Sequence, residues 1–180
     1  MKEQEYIYYC GKSDTSLPDN LFLERNYSLK AWRPKINEMT PKNLFYSSFF
    51  AWAIFYFLKI FYRPEYKIFL IYYKKKEIAS YCAVLPKYFK TPFMENNDLQ
   101  IGPIGTRENH QRKGIALYLI SKIIESYKDK KINFWYVARK ENEPSIKLIE
   151  KIGFTKYGEG TKKKRFIGGF LDTFVIDKKF

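Results

Sequence analysis

The chain has 180 residues, is 46% hydrophobic and 19% aromatic, and carries a formal net charge of +14. That length supports one domain with a real core, and that apolar content excludes a disordered chain. Two cysteines are too few for a disulfide framework, and the charge favours anionic partners: a nucleotide-bearing cofactor or substrate, nucleic acid, or an acidic membrane. Lysine-rich coding from an AT-rich genome would give the same balance with no partner at all.

In chain order, Glu5–Cys10 reads as a first strand, and Cys10 and Cys82 both sit in apolar runs where free thiols are ordinary. The opening Met-Lys-Glu-Gln-Glu lacks the apolar core of a signal peptide, so a cytoplasmic location is expected. Residues 11–26 are turn-rich, and Tyr27–Trp32 reads as extended, ending at Arg33-Pro34. Thr40 as N-cap and Pro41 in the first turn predict a helix over 41–62, stopped by Arg63-Pro64. Residues 44–58 of that helix carry no charge. A membrane span needs about 20 apolar residues, so the segment reads first as a buried core helix. Contact of 44–62 with a partner or a membrane surface is the second reading.

Tyr66–Tyr73 and Glu77–Leu85 form a predicted hairpin with Lys74-Lys75-Lys76 at its tip. A loop with Pro86 and Pro92 follows, then a strand at Leu99–Thr106. Gly102-Pro103 interrupts that strand, because proline cannot donate to the ladder, and predicts a bulge or a splayed strand pair. A helix over 112–128 places Ala116, Ile120, Ile123 and Tyr127 on one face. Ile132–Ala138 is a short buried strand, Pro144 and Ser145 open a helix to Lys151, and Gly153 closes it. Phe154–Tyr157 and Phe166–Ile176 read as a last hairpin, with 161–165 as its lysine-rich turn. The pattern is a single mixed α/β domain over 1–180 with a βαβ-like unit at its centre.

The junction at the centre of that unit carries the most chemistry. A strand runs into a polar turn, and the turn opens into the helix at Gln111-Arg112-Lys113-Gly114-Ile115-Ala116. Free N–H groups and the positive end of a helix make an anion site there, suited to a pyrophosphate. Gly114 removes the side chain that would hold phosphates away, and Arg112 and Lys113 add charge.

Those six residues match (Q/R)-x-x-G-x-(G/A), and the chain resembles the GNAT superfamily of acyl-CoA-dependent N-acyltransferases. A second stretch, Asn142-Glu143-Pro144-Ser145 running through a helix into Gly153-Phe154, resembles that family's later motif. The resemblance is motif-supported over 66–177. It implies two central parallel strands, here 99–106 and 132–138, that splay apart to admit the pantetheine arm of acetyl-CoA. Ile104 and Thr106 would pair with that arm through their backbones. The N–H groups of residues 112–116, beside Gln111, would hold the pyrophosphate. Asn142 would bind the arm, with Ser145 nearby; a plain helix cap is the other reading of Asn142.

Two positions depart from the family pattern. Ile149 stands where many members have a tyrosine that protonates the leaving thiolate. Gln100 aligns with a glutamate base and cannot take a proton at neutral pH. Gln100 could orient a water, and Asp98 is the nearest carboxylate that could substitute. His110, the sole histidine, reads as a packing or surface residue.

The resemblance implies an N-acetyltransferase that moves an acetyl group from acetyl-CoA to a primary amine of a small molecule. A nucleotide-linked amino sugar suits the aromatic and basic acceptor side, and protein or peptide amines are a further class. A CoA-binding scaffold without chemistry is the competing reading, motivated by Ile149 and Gln100. No metal site is expected, the lysine-rich turns carry no nucleic-acid motif, and a homodimer is admitted.

Overall fold

The computed structural model describes residues 4–15, 21–44, 47–163 and 172–180, and of Ser47 the backbone alone. The described elements are β1 (Glu5–Lys12), β2 (Tyr27–Trp32), α1 (Ser47–Phe57), β3 (Lys67–Tyr73), β4 (Glu77–Pro86) and β5 (Leu99–Thr106). They continue with α2 (Ile115–Glu125), β6 (Asn133–Arg139), α3 (Glu143–Lys151), β7 (Thr155–Lys163) and β8 (Thr173–Lys179). The strands form one sheet in the order β2-β3-β4-β5-β6-β1-β7-β8. Every neighbouring pair is antiparallel except β5 and β6, which are parallel.

Period-two alternation sorts the core into two layers. Phe69, Ile71, Cys82 and Val84 pack with Leu119, Ile120 and Ile123 of α2 and Ile149 of α3. Their strand neighbours Ile68, Leu70, Ala83 and Leu85 pack with Phe49, Trp52 and Phe55 of α1. The mixed α/β reading holds, with α2 and α3 on one face of the sheet and α1 on the other.

Three boundaries differ from the sequence reading. The helix expected over 41–62 is shorter. Thr40 and Pro41 precede a turn closed by the Leu44 N–H on the Pro41 carbonyl at 3.2 Å, and α1 spans Ser47–Phe57. It stops because Lys59 takes a left-handed φ of 54°. The Ile60 N–H then bonds the Phe55 carbonyl at 2.9 Å and the Lys59 N–H bonds Tyr56 at 3.2 Å, a Schellman closure made without glycine. The helix expected from 112 begins at Ile115, because Arg112 and Gly114 have positive φ of 60° and 72°. Thr161, Lys162 and Lys163 belong to β7 rather than to a turn, and the remainder of that turn, with 166–171, lies outside the described residues.

Only one face of α1 is core. Phe49, Trp52, Ala53 and Phe55 are buried, while Phe50 and Phe57 are exposed. No helix among the described residues is long and apolar enough to cross a membrane.

Candidate active site

The centre of the sheet opens because β5 changes course. Cys82 pairs with Ile104 and Val84 with Ile101, so Gly102 and Pro103 together oppose Ala83 alone. This bulge bends β5, as the Gly-Pro pair predicts. Parallel pairing with β6 is confined to Leu99↔Phe134 and Gln100↔Trp135. Beyond it β5 stays with β4 and β6 stays with β1, so a V opens between them. Asp98 pins the closed end. Its Oδ1 accepts from the Asn133 amide at 3.1 Å, and its Oδ2 accepts from the Trp135 indole N–H at 2.7 Å and the Glu95 N–H at 2.8 Å.

At the open end, the chain passes from β5 through a single 3-10 turn at Glu108–His110 into α2. The first α2 hydrogen bond runs from the Tyr118 N–H to the Gly114 carbonyl at 2.9 Å, which leaves the N–H groups of Ile115, Ala116 and Leu117 without intrahelical acceptors. The Gln111 side-chain amide donates to the Thr106 carbonyl at 3.1 Å and folds the turn back on β5. Gly114 lines a cavity, and a Cβ built there would meet no atom within 4 Å, so the space beside it is open.

That cavity measures about 640 Å³ and is lined by the end of β5, the turn, the first residues of α2, and Pro144, Ser145, Leu148 and Lys151 of α3. Arg112 and Lys151 are among its lining residues, and no carboxylate is among those described. Donor amides, a glycine gap and two cations fit a pyrophosphate on chemical grounds.

A second cavity of about 430 Å³ shares Ile104 and Ser145 with the first, so the two meet across the V. Its walls include Trp52 of α1, Tyr88, Tyr136 of β6 and Phe174 of β8. Burial pushes the Tyr88 hydroxyl up to about 12, partly offset by a hydrogen bond from Trp52. Gln100 is 9% exposed, and its Oε1 has no hydrogen-bond partner. Tyr136 is buried, which raises its hydroxyl above the ordinary range, while a hydrogen bond with Ser145 opposes the shift.

Of the residues expected at a cofactor site, Ile104, Thr106, Gln111, Arg112, Gly114, Ile115, Ala116 and Ser145 all line the larger cavity. Lys113 lies beside it, in a groove with Leu21, Phe22 and Leu23. Asn142 lines the smaller cavity and also caps α3, its Oδ1 accepting from the Ser145 N–H at 3.3 Å. Gln100 lines the smaller cavity, whereas Asp98 lines neither and spends its oxygens on β6 and Glu95.

Ile149 is fully buried in the core. His110 packs between Tyr27 and Tyr73, with Nδ1 2.9 Å from the Tyr27 hydroxyl, and also lines the larger cavity. Sequence reasoning missed Tyr136, Lys90 and Lys162 as cavity residues. Tyr136 had no signal, because its place beside the V depends on β5 parting from β6 after Gln100↔Trp135. The two lysines had none, because they come together only through the folding of β8.

The sequence model of the acetyltransferase (GNAT) family matches residues 29–154. No curated protein gives a significant match. Among solved structures, a tandem GNAT protein from the clavulanic acid biosynthesis pathway is 12% identical over 87% of this chain and 51% of its own, with a TM-score of 0.59. A GCN5-related N-acetyltransferase from Sphaerobacter thermophilus is 15% identical over 88% and 50%, with a TM-score of 0.56. A GCN5-related N-acetyltransferase-like protein from Streptococcus suis 89/1591 is 16% identical over 87% and 61%, with a TM-score of 0.52. At these identities the likeness is one of fold. The chain spans between 50% and 61% of the length of these three structures.

Proposed function

Because the chain belongs to the GNAT acetyltransferase family, we propose that it is an acyl-CoA-dependent N-acetyltransferase acting on a primary amine held in the smaller cavity. The observation that carries this reading is the V between β5 and β6, with a phosphate-suited turn at one mouth and a ring-walled cavity at the other.

The N–H groups of residues 112–116, with Arg112 and Lys151, would hold the pyrophosphate of acetyl-CoA. The strand-free edge of β5 at Ile104 and Thr106 would take the pantetheine arm, with Asn142 and Ser145 on the facing side. Bound there, acetyl-CoA supplies the activated acetyl group: a nitrogen–carbon bond forms as the carbon–sulfur bond breaks, one ammonium proton ends on sulfur and a second on solvent.

The chain's own part is mostly positioning. Gln100 Oε1 is a buried acceptor without a donor, and it would take an N–H of the amine or hold a water that removes its proton. Tyr136 lines the smaller cavity, burial keeps its hydroxyl protonated at neutral pH, and that hydroxyl, hydrogen-bonded with Ser145, would donate to the departing sulfur. Asp98 acts at a distance, by holding β5 to β6 where the V begins.

A second reading, a CoA-binding protein without turnover, is favoured by Ile149 and by the absence of a carboxylate among the described lining residues of either cavity. Thiol release from acetyl-CoA against a panel of primary amines separates the two. Amine-dependent release is expected. CoA binding with no release above hydrolysis for any amine would favour the second reading.

A further inference from the structure

The outer face of α1 continues into an exposed hydrophobic patch. Nine large hydrophobic side chains are exposed among the described residues, and six of them belong to this patch: Phe50, Phe57, Leu58, Ile60, Tyr62 and Phe89. Phe50 and Phe57 share a helical stripe with half-buried Ile54, and Leu58 extends it past the helix end. The other side of α1, at Phe49, Trp52 and Phe55, is already in the core. Burial inside the chain therefore does not account for the outer stripe.

Backbone bonds and ring contacts join the rest of the patch to the helix. The Ile60 N–H closes on the Phe55 carbonyl at 2.9 Å, and the Tyr62 N–H donates to the Lys87 carbonyl at 3.0 Å. Phe89, two residues on, meets the Phe55 ring at 5.6 Å. These side chains form one surface, and a contiguous exposed apolar surface marks a place of contact.

Charge identifies what covers it. The patch is built from residues 50–62 and 87–89, and neither stretch holds a carboxylate. Lys59 is exposed at the helix end. The Lys87 ammonium stands 5.1 Å from the centre of the Tyr62 ring and donates to a neutral acceptor, Asn96 Oδ1, at 3.2 Å. Arg63, at the border, is neutralised by Glu65 at 2.7 Å. Two-fold pairing with a second copy would set this patch against itself, lysine against lysine, between molecules of charge +14. An anionic bilayer surface suits the same pattern. Rings and aliphatic side chains enter the headgroup boundary, and the ammoniums of Lys59 and Lys87 stay among the phosphates.

We propose that the outer face of α1, with residues 60–62 and Phe89, docks on an anionic membrane surface. The contact is peripheral, since no helix among the described residues is long and apolar enough to cross. It is independent of the acetyltransferase reading.

Flotation of the whole chain with vesicles tests it, using phosphatidylcholine alone or mixed with phosphatidylglycerol. Partition to the mixed vesicles is expected to be at least about tenfold stronger at low salt, and to weaken as salt is added. Leu58→Ser and Tyr62→Ser change side chains that are 66% and 61% exposed, so each is expected to keep the melting temperature of the wild type. Each is expected to lose most of the partition, while Ile36→Ser, at an exposed site outside the patch, is expected to keep it. Absence of partition to the mixed vesicles would overturn the proposal. So would partition that both folded patch variants retain, which would be mere attraction of a basic chain. Self-association lost in the patch variants, without vesicle binding by the wild type, would assign the surface to a second copy instead.

Discussion

Two polar residues near the point of the V have opposite circumstances, and this decides their roles. Asp98 is saturated with donors, and Gln100 Oε1 has none. Asp98→Asn replaces one acceptor oxygen with a donor that faces N–H groups already in place. It is expected to cost about 1–3 kcal/mol of stability, read by urea denaturation, with chemistry slowed only as far as the V is distorted. A loss of all activity at unchanged stability would instead mark Asp98 as a base. Tyr136→Phe keeps the ring and removes only the hydroxyl. A fall of at least about tenfold in kcat is expected, with CoA affinity unchanged in calorimetry. An unaltered kcat would leave protonation of the sulfur to water. Sequence made Gln100 legible as a departure from the family base, and Ile149 as a missing acid. It could not reveal Tyr136, whose hydroxyl matters only because β5 has already turned away.

At the scale of elements, the helices were most legible where a cap or a stop is chemically marked. Asn142 opens α3 and Gly153, at a φ of 97°, ends it. α1 was misjudged because its apolar run continues past its end and Lys59 adopts a conformation that glycine usually takes. Its inner face matters most: Trp52 is 9% exposed, packs on Phe49 and Tyr66, and lines the smaller cavity. Trp52→Ala is expected to cost about 3–5 kcal/mol and lower the melting temperature markedly, with no change in partition to liposomes. Unaltered stability with lost vesicle binding would put the inner face of α1, rather than its outer face, against the membrane.

At the scale of the molecule, the βαβ unit was legible because Gly102-Pro103 and the Gly114 turn are local signals. Strand order was not. β1 inserts between β6 and β7, and that placement depends on pairings such as Tyr8↔Val137 and Tyr8↔Gly158, which lie far apart in sequence. The family itself became visible through two motifs that bracket the V.

The central claim is that the V and its glycine turn hold CoA. The most direct measurement is a calorimetric titration of CoA into the wild-type chain and into Gly114→Glu. A side chain at a φ of 72° costs about 1–2 kcal/mol, so the variant is expected to stay folded by circular dichroism. Its carboxylate would enter the space the pyrophosphate needs. Saturable binding by the wild type and none by the folded variant is the predicted result. Equal affinity for the two would contradict the account.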